Sequence, residues 1–286
     1  MLSAVLTRLA RFRVTLMYAA ALAAVAFAMV YVGPRIQAEV VRYASTNLHN
    51  LEQGRIGTLI GSAFVNEAGP IYLWLPGLVA LLALGELLWE SRRLVVAFAV
   101  GHIGATLIVA AGLAAAIAAG VLSRSVADAA DVGMSYGAIA VLGTFTAAIP
   151  HRWRAAWAGW WLAVATASTV LSGGEFTNVG HAIALVLGML IGSRFSVPVN
   201  WTAHWTWPRY ALLLAGAGFG YLLIAYNDLS THRVAAFGVA GALTAWAVST
   251  AVARLVQTNS SEDASIQSDS QASGGLSTNS PGISHS

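Results

Sequence analysis

Few side chains in this sequence can do chemistry in an apolar environment. The ionisable groups within its long apolar runs are Glu86, Glu90, His102 and His181, with Asp131 at the mouth of one run. Such groups are costly to hold in hydrocarbon, so each is a functional candidate until a simpler role accounts for it. Two glycine-framed stretches add a hydroxyl and an imidazole, Gly133-Met134-Ser135-Tyr136-Gly137 and Gly180-His181.

Elimination narrows the chemistry. Glu86 and Glu90 stand one helical turn apart beside Arg92 and Arg93, which predicts an ion-pair cluster at the end of an apolar run. No carboxylate falls near the middle of a run, where a proton-coupled transporter or an aspartyl intramembrane protease would need one or two. The H-E-x-x-H pattern of zinc proteases is absent. Cys is absent and all 15 basic residues are Arg, which removes thiolates, disulfides, Schiff bases and Ser/Lys dyads. No cofactor or metal site is expected. His102, within Gly101-His102-Ile103-Gly104, reads as a buried histidine bonded to a neighbouring helix and, by its depth, remote from Ser135.

The elements that carry these residues are membrane spans. Hydrophobic residues make up 57% of the 286 and charged residues 9%, against about a quarter charged in soluble domains. Mean hydropathy is +0.69. So few charges cannot coat a globule of this size. Apolar runs of about the length a helical crossing needs, roughly 20 residues, recur at 14–32, 70–89, 94–122, 133–149, 155–171, 176–195, 210–226 and 234–252. These are spans one to eight. Residues 33–69 read as an external loop lying at the membrane interface, with Ile56, Leu59, Ile60 and Phe64 as its apolar face. Residues 257–286, rich in Ser, Asn, Gln and Gly, read as a disordered cytoplasmic tail.

The net charge of +3 does not point to nucleic acid, because the arginines cluster at the ends of the runs. Arg8, Arg11 and Arg13, then Arg92 and Arg93, Arg152 and Arg154, Arg194 and Arg209, and finally Arg254 mark alternate ends, so both termini are expected in the cytoplasm. The opposite face carries Arg124 beside Asp128 and Asp131, then Glu175, then Asp228.

In this topology spans four and six run the same way. Ser135 and His181 each lie only a few residues below the outer surface, and at about 1.5 Å per residue a contact between them is geometrically feasible. His181, Ala184, Gly188 and Gly192 share one face of span six, while Gly133, Gly137, Ala140 and Gly143 offer small surface around Ser135, so the two helices can approach backbone to backbone. Taken singly, each feature is equally at home in ordinary helix packing.

Together these residues resemble the rhomboid intramembrane serine proteases, whose fourth span begins G-x-S and whose sixth carries a His followed by small residues at helical steps. The resemblance rests on Gly133-Met134-Ser135, Gly143, His181, Ala184 and Gly188, and extends to Gly85 with Glu86 or Glu90 and to Ser62-Ala63-Phe64. It covers roughly residues 55–195 and looks closest to the divergent rhomboid-like proteins of actinobacteria, which implies a bacterial plasma-membrane protein. The resemblance implies that Ser135 is the nucleophile and His181 its general base, with no third carboxylate, acting on transmembrane segments of other membrane proteins near the outer face.

Three features depart from the family pattern. Tyr136 follows the serine where Gly is usual. The stretch Ile71 to Leu78 lacks the His and Asn that help bind the oxyanion, leaving Gly133, Asn66 and Asn178 as candidates by loop position. Spans seven and eight extend beyond six helices. The expected organisation is therefore an all-α transmembrane bundle: 1–32 with the first span, the loop 33–69, a rhomboid-like core at 70–195, two additional spans within 196–256, and the tail. The expected partners are transmembrane segments and the lipid bilayer, not nucleic acid. Two further readings stay open: a catalytically inactive rhomboid-like protein that binds transmembrane segments and, ranked last, a small-molecule transporter, since no internal repeat is evident.

Overall fold

Residues 9–66, 70–195, 205–225 and 231–274 are described by a computed structural model, with side chains described as far as Gln257. The markers Arg8 and Asp228 and the tail from residue 275 lie outside the described residues. Among the described residues all regular structure is helical, the form in which a chain in hydrocarbon satisfies its own backbone hydrogen bonds.

Among the described residues five helices are each long and apolar enough to cross a membrane: Ala10–Ala44, Ile71–Ala118, Phe176–Ser193, Trp207–Ala225 and Thr231–Gln257. Ile71–Ala118 has 48 residues, about 70 Å at 1.5 Å per residue, which is over twice the hydrocarbon thickness. It breaks at Glu90, where φ is 66° and ψ 161°, and so supplies both span two and span three. The apolar but shorter helix Ser135–Ala148 stands where span four was expected, and His151–Leu171, with Arg152 and Arg154 in its first turn, where span five was. The molecule is a polytopic helical bundle.

Span four is the axis of the bundle. Ala138, Ile139, Ala140, Val141, Leu142 and Phe145 along it are fully buried. Span six lies closest: a Cβ on Gly188 would overlap the Ala140 carbonyl, and one on Gly143 would stand 2.5 Å from the Leu185 carbonyl oxygen. Only residues without a side chain permit that approach. Span three packs on another side, with Gly101 against Ala140 and the Phe98 ring 2.6 Å from where a Gly137 Cβ would be. Gly137 thus makes room for span three, not for span six as the sequence suggested. Six residues turn a helix by about 240°, so Gly137 and Gly143 cannot share a face.

The two later spans pack on the others through glycines of their own. In span seven, Gly216 meets Leu81 of span two and Gly220 meets Leu142 of span four. Ser168 Oγ of span five donates to the Ile224 carbonyl at 2.5 Å. Span eight crosses span five where Gly159 faces Gly241.

Two expected boundaries shift. The first helix runs from Arg13 to Ala44 with a break at Gly33, where φ is 75°, so residues 34–44 are helical where a loop was expected. Gly33 supplies the left-handed residue that ends one helix and Pro34 the preset φ that opens the next. At the other end the helix Thr231–Gly274 extends past Gln257 into the expected tail. Between Gly241 and Gly274 the sequence holds neither Gly nor Pro to stop it.

Candidate functional site

The loop between spans one and two is stitched to the segment that leads into span four. Ser45 Oγ accepts from the Asp131 amide at 2.8 Å, and the Thr46 amide donates to the Asp131 carbonyl at 2.9 Å. The Ser62 carbonyl accepts the Gly133 amide at 2.9 Å, two residues before Ser135. Ser45, Thr46 and Ser62 are all buried. None of these pairings has a local sequence signature, since each joins residues far apart in the chain.

Ser62 also forms a serine–histidine contact that the sequence did not single out: Ser62 Oγ lies 3.1 Å from His102 Nε2. Hydrogen-bond direction decides its meaning. Thr46 Oγ1 lies 2.8 Å from both the Thr58 carbonyl and Ser62 Oγ. A carbonyl only accepts, so Thr46 gives its single proton to Thr58. Ser62 then donates to Thr46, and His102 Nε2–H donates to Ser62. The hydroxyl proton of Ser62 points away from the imidazole, so this pair is a structural relay and not an activated nucleophile. His102 is tied to the short 3-10 helix Ser62–Phe64 of the loop, not to another span, and through Ser62 it reaches Gly133. The expectation that it stands remote from Ser135 is corrected: the loop descends to meet it.

Ser135 opens span four and is half-buried, while His181 lies on the first turns of span six and is 3% exposed. No hydrogen bond joins them: neither His181 Nδ1 nor Nε2 has a partner among the described residues. The contact that closes the junction comes from the next residue. The Tyr136 ring stands edge-on to the His181 imidazole, with centroids 5.4 Å apart and planes at 82°. Its hydroxyl end rests against Gly180, where any Cβ would collide with it. Neither Ser135 nor His181 lines any of five cavities of the bundle.

The remaining candidates divide. Gly133 has φ 119°, a backbone setting that favours glycine, and Asn66 Oδ1 lies 3.6 Å from where its Cβ would be. Asn66 and the residue pair before Ser135 are thus neighbours. Asn178 is buried one turn before His181 on the same helix, and Ala184 is fully buried. Gly192 packs on Thr144, whose Cα lies 2.7 Å from where a Gly192 Cβ would be. Burial pushes the Asp131 carboxyl up to about 6.

Glu86 departs from its expected ion pair. Its carboxylate accepts the Val14 and Thr15 amides at 3.0 Å each, the Thr15 hydroxyl at 2.7 Å and the Ser91 hydroxyl at 2.6 Å. It caps the start of span one, where unpaired amides and the positive end of the helix dipole meet a negative group. Among the described residues no group of acidic or histidine side chains is arranged to hold a metal.

A family model described as rhomboid-like protein matches residues 9–194. The match covers spans one to six and leaves spans seven and eight outside it. No curated protein and no solved structure matches the chain. With about two thirds of its length matched, all of it in the helical bundle around span four, the chain belongs to the rhomboid-like protein family.

Proposed function

We propose that the protein is a serine intramembrane endopeptidase in which Ser135 attacks a peptide bond of a transmembrane segment and His181 takes the hydroxyl proton. The observation that carries this reading is the junction of spans four and six. There the segment beginning at Ser135 is pressed, through Tyr136, against a buried imidazole whose two nitrogens are left without partners among the described residues. Buried polar atoms are nearly always paired, and exceptions call for a functional explanation. A base awaiting a proton is one. The absence of a Ser135–His181 bond at rest is compatible with the role, since catalytic hydrogen bonds often tighten only with substrate in place.

In this reading the Ser135 end of the bundle faces the outside of the plasma membrane and both termini face the cytoplasm. Substrates are single transmembrane segments, cleaved near that outer face. A fluorophosphonate probe with mass mapping of the adduct tests it: modification at Ser135, lost in Ser135→Ala, supports the proposal. Modification elsewhere, or none under conditions where a known serine hydrolase reacts, overturns it.

A second reading is favoured by the same sealed junction. If His181 stays closed beneath Tyr136, the protein binds transmembrane segments without cutting them. Retention of a bound segment by the Ser135→Ala and wild-type proteins alike, with no cleavage by either, supports that alternative.

A further inference from the structure

Three buried polar atoms lack partners among the described residues at one junction: Tyr136 Oη and both ring nitrogens of His181. They belong to side chains in edge-on contact, and Tyr136 is itself only 2% exposed. A phenol that merely filled space would be better replaced by phenylalanine, because a buried donor without an acceptor is destabilising. Its room is made deliberately, since Gly180 is the residue whose missing Cβ lets the hydroxyl end in. The stretch Ile71 to Leu78 of span two offers no side-chain donor to a developing negative charge except the hydroxyl of Tyr72 and the indole of Trp74. Tyr72 is 71% exposed.

We propose that the Tyr136 hydroxyl is the side-chain donor of the oxyanion site, its acceptor arriving with the substrate. The inference rests on Ser135 being the nucleophile. In the step concerned, Ser135 Oγ forms a bond to the scissile carbonyl carbon as its proton passes to His181. The carbonyl π pair moves onto oxygen, which accepts the hydrogen bond from Tyr136. When the tetrahedral adduct collapses, C=O re-forms, the C–N bond breaks, and the proton on His181 leaves with the amine. Water then repeats the sequence on the acyl-enzyme and restores Ser135. Tyr136 is neutral throughout and is never consumed. Its donation is strongest to the oxyanion, so it lowers the barrier rather than improving ground-state binding.

The test is Tyr136→Phe in the full-length protein, assayed on a single-span reporter in defined vesicles. Phenylalanine keeps the ring against His181 and Gly180, so a packing role leaves turnover unchanged. The proposal predicts a kcat lower by about 10²- to 10³-fold with KM within a few-fold, typical for removal of one oxyanion donor. Fluorophosphonate labelling at Ser135 slows in parallel. Should the variant fold poorly by its melting curve, fluorinated tyrosine at 136 replaces it, where a more acidic hydroxyl must alter kcat and its pH profile. Wild-type turnover with Tyr136→Phe within about threefold overturns the role of Tyr136 and leaves Ser135 standing. A wild type that neither cleaves nor labels overturns both.

Discussion

His102 Nε2 donates to Ser62 Oγ across 3.1 Å, joining the middle of span three to a loop some forty residues earlier in the chain. Because the relay ends on the Thr58 carbonyl, removing the donor leaves the Ser62 hydroxyl oxygen one partner short. His102→Ala is expected to cost about 1–3 kcal/mol of stability and to raise proteolytic sensitivity near Ser62, with partial loss of any turnover. Limited proteolysis checks it, and an unchanged cleavage pattern speaks against the relay.

Gly188 and Leu187 are neighbours with opposite demands. A side chain at 188 meets the Ala140 backbone, which cannot yield, whereas the Leu187 tip lies 3.2 Å from where a Cβ on Gly104 would be. Gly188→Leu should destabilise by about 3 kcal/mol or more, at or beyond the top of the usual overpacking range, and Leu187→Ala by clearly less. Thermal melts in detergent rank the two. Equal melting temperatures would refute the close approach of spans four and six.

Asp131 gives the approach to Ser135 a pH dependence. Its carboxyl is raised to about 6 in the fold from an ordinary value near 3.9, so folding favours the protonated form. The associated stability is full below about pH 4 and is lost as pH rises through about 6. Amide protection factors in residues 128–134, which divide out the intrinsic base catalysis of exchange, should be larger at pH 5 than at pH 7.5, and Asp131→Asn should remove the difference. A difference that persists in the asparagine variant assigns it to another group.

Reporter fusions test the orientation. Those after Glu90, after Arg154 and at the C-terminus should report the cytoplasm, and those after Arg124, Glu175 and Asp228 the outside, following the arginine pattern. An external C-terminus contradicts the arrangement proposed for the site.

The apolar runs are legible because hydrocarbon imposes its length on each helix, and Ser135 and His181 stand out as candidates because so few other groups remain. Where local cues competed with distant partners, the sequence misled. Arg92 and Arg93 beside Glu86 suggested an ion pair, while its observed partners Val14 and Thr15 lie about seventy residues away. Gly137 looked like a partner of span six because small residues resemble one another in sequence, yet helical rotation turns it toward Phe98. Gly33-Pro34 did carry a readable helix break, masked by the polar residues that follow. In the sequence Tyr136 is only a departure from a pattern, and its contact with His181 arises from the packing of two spans.

Cleavage of a single-span reporter by purified protein in vesicles tests the central claim most directly. Wild type should cut it, Ser135→Ala and His181→Ala should each abolish the cut, and the double variant should be no worse than either, because two residues forming one acyl-enzyme act as a unit. A well-folded Ser135→Ala protein that still cleaves the reporter would contradict the account.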